Sequence, residues 1–416
     1  MSKKEPKLLH KKRKKYELTL YGTDFAWAAA IAAIFVVTLE LFYRMIVDYN
    51  GKYGSDVRYY VVDTAVSGER HDRIITVLFQ WFYNINQGTL EANIYLAFVI
   101  AAIVVVNFAA IRYFIKKDGY EKKVPRYAIQ FFSAAMLFIG PMYVPVLHEW
   151  FYRKSFPSFV WHSPTQQSMT LFAVISAICF IQMYSEYEKG GISLKSWMTT
   201  MLTTLIATGF KPSYTISLCF AIVVMFIVDL IRGGKDGFLW RLWQLFMMGC
   251  TAVPSGLYML WLQFTEFEEG TQFGEEHRVF LDISHVFKYE GLWAAVLFSI
   301  AFPLAVFCIS HSKFRDSKYR FALYVFIMGV LQWAVLDETG TRGNFGNFTW
   351  GRIFGCYLIT LAACAAALEL YYDKKRSGGG RSRKIRIAAV SIILCWSIAS
   401  QLFYFWMILS GRGYWH

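Results

Sequence analysis

The chain has 416 residues, of which 56% are hydrophobic and 19% aromatic, while only 17% carry charge. Soluble domains carry about 25% charged residues, so this chain lacks the polar surface that a water-soluble protein of its length needs, and its composition predicts a polytopic membrane protein. The net charge of +14 does not point to nucleic acid, because the basic residues stand in short clusters between apolar runs: KKRKK at 11–15, IKKDGYEKK at 115–123 and KKRSGGGRSRK at 374–384. That is the distribution of cytoplasmic loops under the positive-inside bias.

A helix needs about 20 apolar residues to cross the hydrocarbon core. After a basic N-terminal segment, 1–22, this measure gives about eleven spans: 23–46, 92–115, 126–147, 167–185, 194–210, 213–232, 240–263, 291–311, 319–336, 351–372 and 386–409. They make an all-α transmembrane domain over 23–409, followed by a short tail at 410–416. The first run is too long for a signal peptide and lacks a small-residue cleavage site, so it reads as a retained span. The stretch 194–210 is short, and the alternative for it is a re-entrant segment. Dropping it would place KKRSGGGRSRK outside, against the charge bias. With the N-terminus in the cytoplasm, the inner loops are short and basic, and the C-terminus lies outside.

This topology sorts the polar chemistry. The outer segments, 47–91, 148–166, the turn near 211, 264–290 and 337–350, hold most of the acids, histidines and non-helical signals. Loops on a rigid scaffold carry function, so a site on the outer face is expected. The seven cysteines all fall inside apolar runs without CxxC spacing and read as small buried hydrophobes. No HExxH or carboxylate–histidine spacing marks a metal site. No metal or other cofactor is assigned, and a divalent cation is left open.

In chain order, the first candidate is Asp56, about ten residues beyond the first span in YGSDVRYYVVDTAVSG. Partly desolvated beside Tyr53, Tyr59 and Tyr60, its carboxylate suits a general base toward a sugar hydroxyl. The plainer reading is a solvated acid or a partner for Arg58. Asp63 lies seven residues on, which in an α-helix puts it on the same face. RIITVLFQWFYNI, 73–85, reads as an amphipathic interfacial helix. His148 and Glu149 end the third span as a candidate interface pair. In VWHSPTQQ, His162 is a candidate for phosphate or sugar binding or for packing, with Ser163 as a cap ahead of Pro164.

Lys211 in TGFKPSYT sits in a tight turn between two membrane runs. Its position at the outer edge opposes the positive-inside bias, and a phosphate held at a helix N-terminus explains it; snorkelling from a helix end is the plainer reading. Arg342 and Arg352 flank a Gly-, Asn- and aromatic-rich stretch, TRGNFGNFTWGR; either suits bidentate phosphate binding, and an ordinary loop with a basic rim is the plainer reading.

SDVRYYVVDTAVSG after the first span resembles the D…Y…A…G pattern of polyprenol- and dolichol-dependent mannosyltransferases of the GT-C superfamily. WHSPTQQ followed by GFKPS is similar to a WHNPT…KPS pair in membrane proteins associated with bacterial surface-polysaccharide synthesis. The resemblance covers the topology and three short motifs. It implies an inverting glycosyltransferase in a bacterial cell membrane. Such an enzyme takes a sugar from a polyprenyl-phosphate donor and passes it to a glycan or lipid-linked acceptor on the outer face. Carried over, the general base is Asp56. This chain departs from the commonest form in lacking an adjacent acidic pair. The alternatives are a polysaccharide polymerase or ligase using a lipid diphosphate, and a carrier-lipid flippase or transporter. A transporter places ionisable groups at mid-membrane, whereas Glu40, Asp229 and Glu369 lie near the ends of their runs.

Overall fold

The computed structural model describes residues 22–48, 55–63, 74–86, 89–144, 161–233, 237–267, 279–284, 286, 292–338, 348–372 and 381–410. Its helices are α1 (Gly22–Val47), α2 (Ile74–Asn86), α3 (Thr89–Lys117), α4 (Arg126–Ala135), α5 (Pro164–Tyr187), α6 (Leu194–Phe210) and α7 (Ser213–Arg232). They continue with α8 (Phe238–Gly249), α9 (Val253–Phe267), α10 (Leu292–Ser299), α11 (Ala301–Ile309), α12 (Ser317–Val335), α13 (Thr349–Tyr372) and α14 (Arg381–Leu409). Seven stretches among the described residues are long and apolar enough to cross a membrane: α1, α3, α5, α7, the α8–α9 segment, α13 and α14. The fold is all-α and polytopic.

The other four expected spans contain helix but fall outside this set. α6 has 17 residues and α12 has 19. Among the described residues of the run 126–147, which end at 144, the helix covers Arg126–Ala135 and unwinds ahead of Gly140 and Pro141. The run 291–311 is split into α10 and α11 at Ile300. Pro303 explains that break: it has no N–H, and its ring clashes with the carbonyl four residues earlier, which belongs to Ser299. A feature absent from the sequence reading is a two-stranded antiparallel ladder. β1 (Val279–Leu281) pairs with β2 (Leu336–Glu338), Phe280 opposite Asp337, and ties segment 264–290 to segment 337–350.

α13 is the axis of the bundle, with every residue from Trp350 to Leu370 buried. Its sequence is rich in Gly, Ala and Cys, and small residues let backbones approach closely where lipid gives no hydrophobic drive. Gly351 and Gly355 form a GxxxG pair facing α12. A Cβ on Gly355 would stand 2.6 Å from Phe326 Cα, and one on Gly329 would stand 2.7 Å from the Gly351 carbonyl oxygen. The two backbones are therefore in contact. Polar bonds lock α13 laterally as well, with the Tyr357 hydroxyl donating to Asn107 Oδ1 of α3 at 2.9 Å. α2 is formed where an amphipathic helix was expected. It buries Ile75 and Phe79, leaves Val77, Trp81 and Ile85 exposed, and sets Ile74 so close to Gly209 that any Cβ there would overlap it.

All seven cysteines are free. Cys356 and Cys364 are buried as expected, but Cys308 and Cys395 are exposed on the bundle surface, which for an apolar helix face is where lipid would lie.

Two polar clusters stand at opposite ends of α13. One gathers around Trp350. The other joins Asp118, Lys313, Lys318, Tyr319 and Glu369: Lys313 meets Asp118 at 3.0 Å, Tyr319 donates to it at 2.9 Å, and Lys318–Asp118 and Lys313–Glu369 are close ion pairs. At 1.5 Å per residue, Trp350 and Glu369 are separated along the helix by about 28 Å, close to the hydrocarbon thickness of about 30 Å.

Candidate functional site

The cluster at Trp350 is built by chain reversals at helix ends. α6 terminates at Phe210, and Lys211 leaves the helix with extended backbone (φ −157°, ψ 109°) while its N–H still bonds Ala207 O at 3.0 Å. Pro212 follows at φ −61° and starts α7 at Ser213, as its fixed φ and missing N–H favour. This two-residue turn points the Lys211 side chain inward, where the residue is only 7% exposed. Its Nζ donates to Thr165 Oγ1 at 3.1 Å and lies 3.6 Å from the centre of the Trp350 ring. A desolvated ammonium over an indole gains about 2 kcal/mol, which offsets part of the cost of removing the charge from water.

Thr165 belongs to the first turn of α5. Ser163 occupies the N-cap position with extended backbone and Pro164 behind it, but its hydroxyl makes no cap bond. It meets Thr165 Oγ1 at 2.9 Å instead. The expected cap is thus a link in a hydroxyl chain that ends on Lys211.

His162 stacks on Trp350, ring centres 5.6 Å apart. Its carbonyl accepts from the Asp56 N–H at 3.1 Å and from the Ser55 hydroxyl at 2.9 Å. The pairing fixes the short helical entry of 57–63 against the start of α5. Asp56 Oδ1 then lies 3.5 Å from His162 Nε2, with the Asp56 side chain 40% exposed. The carboxylate is therefore held on one side and open on the other. Burial lowers the His162 pKa below its ordinary value; the Asp56 charge opposes that shift and Lys211 reinforces it. The imidazole is neutral near pH 7. Arg58, the alternative partner for Asp56, reaches back to Ile46 O at 2.7 Å.

Arg352, two residues beyond Trp350, is fully buried, with its guanidinium 4.0 Å from the centre of the Trp333 ring of α12. The Gly329–Gly351 backbone contact is what brings Trp333 there.

Asp56, His162 and Lys211 are thus brought together around Trp350, whereas Arg352, two residues further along α13, packs on Trp333. The backbone that leads to Asp63 is not the regular α-helix expected. That residue ends a π-helical turn, Tyr59–Asp63, whose i→i+5 winding means that seven residues no longer make two α turns. His148, Glu149 and Arg342 lie outside the described residues. Among the described residues, no group of three His, Cys, Asp or Glu is placed to hold a metal ion. Sequence reasoning missed Trp350, Trp333 and Gln332. The GxxxG spacing at Gly351 was a visible signal that this turn packs against another helix.

The first turns of α5, α7 and α13 all open onto this cluster, as the Lys211–Thr165 bond, the Lys211–Trp350 contact and the approach of Gly351 to Ser213 O show. Each helix start offers unpaired N–H groups and the positive end of its dipole. The carboxyl ends of α6 and α12 are also near, with Ala207 O and Gln332 O taken up by the cap N–H groups of Lys211 and Leu336. Three helix starts and the buried Lys211 ammonium, with the Asp56 carboxylate beside His162, favour an anion next to a group that accepts a proton. The chain matches no protein-family model, and no curated protein is significantly similar to it.

Proposed function

We propose that the protein is an inverting membrane glycosyltransferase of the GT-C kind. It transfers a sugar from a polyprenyl-phosphate carrier to a glycan or lipid-linked acceptor at the outer face of a bacterial cell membrane. The observation that carries this reading is the meeting of Asp56, His162 and Lys211 around Trp350 at the starts of three helices. The Asp56 carboxylate takes the proton of the acceptor hydroxyl, and the hydroxyl oxygen attacks the anomeric carbon from the side opposite the phosphate. The bond between that carbon and the phosphate oxygen breaks, and its electron pair stays on the phosphate. The donor is a phosphodiester with one negative charge, and the departing polyprenyl phosphate is a monoester that approaches two. Lys211 and Arg352 gain from that increase, so they stabilise the transition state more than the bound donor. Neutral His162 holds Asp56 in place from its closed side.

Lys211→Met tests the anion half of the site. It keeps the apolar stem on Trp350 and deletes the charge. Binding of undecaprenyl phosphate is expected to weaken by about 10- to 100-fold, the range for a lost hydrogen bond to a charged group, with transfer slowed further. Transfer and binding at wild-type levels would remove Lys211 from the mechanism.

The orientation belongs to the same proposal, with the N-terminus inside, the C-terminus outside, and eleven crossings. In a cysteine-less background, single cysteines at the exposed positions Lys122 and Lys189 are expected to resist a membrane-impermeant thiol reagent in intact cells. A cysteine at the exposed Ser284 is expected to react. The opposite pattern inverts the site.

A further inference from the structure

At Gly351, between Trp350 and Arg352, lies a pair of donors that the mechanism above does not use. Gln332, in the last turn of α12, is 2% exposed. Its Oε1 accepts from the Ser217 hydroxyl of α7 at 2.5 Å, which orients the amide and turns its NH2 away from Ser217. That NH2 is buried and has no hydrogen-bond partner. The Ser213 hydroxyl, in the first turn of α7, is also buried and unpartnered. Both residues border Gly351: a Cβ there would stand 2.7 Å from Gln332 Oε1 and 3.0 Å from Ser213 O, and would overlap Ser217 Oγ. Only glycine admits this arrangement, and Gly351 is the residue between Trp350, under Lys211, and Arg352.

Buried polar groups in native proteins are nearly always bonded, and each exception asks for an explanation. Two exceptions on residues that border one glycine, an amide N–H and a hydroxyl, are donors in want of an acceptor. Their neighbours along the chain sharpen the identity of that acceptor. Ser213 is two residues from Lys211, Gly351 adjoins Arg352, and two helix starts open there. Neutral donors placed beside cations suit a phosphate oxygen, which accepts several hydrogen bonds and carries charge.

We infer that Gln332 and Ser213 are binding residues for the phosphate of the lipid carrier, with Ser217 as the residue that positions the Gln332 amide. The inference rests on the lipid-phosphate reading above. Neutral donors add hydrogen bonds without fixing another charge, so the site keeps hold of the phosphate through the change in its ionisation.

The test is binding of radiolabelled undecaprenyl phosphate to the full chain in detergent micelles, with undecaprenol as the uncharged control. Gln332→Met keeps volume and removes the amide; it is expected to weaken binding of the phosphate lipid about tenfold while leaving undecaprenol binding unchanged. Ser213→Ala removes a hydroxyl that has no partner in the fold, so it is expected to melt like the wild type and lose about threefold in affinity. Should Gln332→Met fail to fold, Ser213→Ala decides alone. Phosphate-lipid affinities within experimental error of wild type, alongside a loss in Lys211→Met, would mean a water-filled niche and overturn the inference while sparing the wider reading. An equal loss for undecaprenol would show packing only and overturn it as well. A wild-type protein with no preference for undecaprenyl phosphate over undecaprenol would end both.

Discussion

Asp56→Asn is expected to fold as the wild type does and to transfer sugar two to four orders of magnitude more slowly, the usual cost of losing a positioned base. The substitution keeps the shape of the side chain. The contacts that fix this segment are made by the backbone and by Ser55, through the Asp56 N–H and the Ser55 hydroxyl to His162 O, and they survive. The carboxamide still reaches His162 but has no basic oxygen for the acceptor proton. Affinity for undecaprenyl phosphate should stay within about twofold, because the anion is held by other groups, and the loss should fall on turnover. The measurement is transfer from a polyprenyl-phosphate sugar in vesicles, run beside the binding assay. A flippase behaves differently, since moving a carrier lipid needs no base. Full turnover in Asp56→Asn discards the proposed chemistry, whatever the protein moves.

The second large effect is expected at the other end of α13. Lys318→Met should lower stability by about 3 kcal/mol, the lower end of the cost of breaking a buried ion pair, because Lys313 remains to share the charge of Asp118. Stabilities are about 5–15 kcal/mol in all, so the melting temperature in detergent should fall by several degrees. Burial by itself would raise the Asp118 pKa. The neighbouring Glu369 carboxyl and the charges of Lys318 and Lys313 outweigh burial and hold it below its ordinary value. A carboxyl depressed in the fold contributes stability in full above its ordinary value and loses it as pH falls below that value through the lowered one. The gap between wild type and Lys318→Met is therefore expected to be widest at neutral pH and to close on acidification. A gap that stays constant down to pH 3 would locate the effect in packing.

Much of the candidate site was legible because it depends on parity. Asp56, His162 and Lys211 each stand where an apolar run stops, and counting runs assigns all three to one side. The residues that join them were not legible. Trp350 and Trp333 look like any other membrane aromatics until the packing of α12 on α13 is known. Gly351 and Gly355 advertise a close helix contact, but nothing in the sequence says that Gly329 faces them. Hydropathy also cannot report where a run is interrupted. The break at Pro303 and the unwinding before Pro141 leave the apolar count intact while changing what spans. The π turn that ends at Asp63 is a matter of winding, to which a period of 3.6 residues is blind.

The complete enclosure of α13 has a consequence for how the protein is made. Helices meet lipid first and one another afterwards, so α13 must exchange lipid for protein on every side. Until it does, Asn107 of α3, Ser217 of α7 and Gln332 of α12, all buried in the finished bundle, have no α13 to cover them. Side chains of this kind are costly in hydrocarbon. A nascent chain halted before residue 349 would thus carry an open polar seam, the kind of surface on which membrane chaperones and proteases act, and arrival of α13 is the step at which that seam closes.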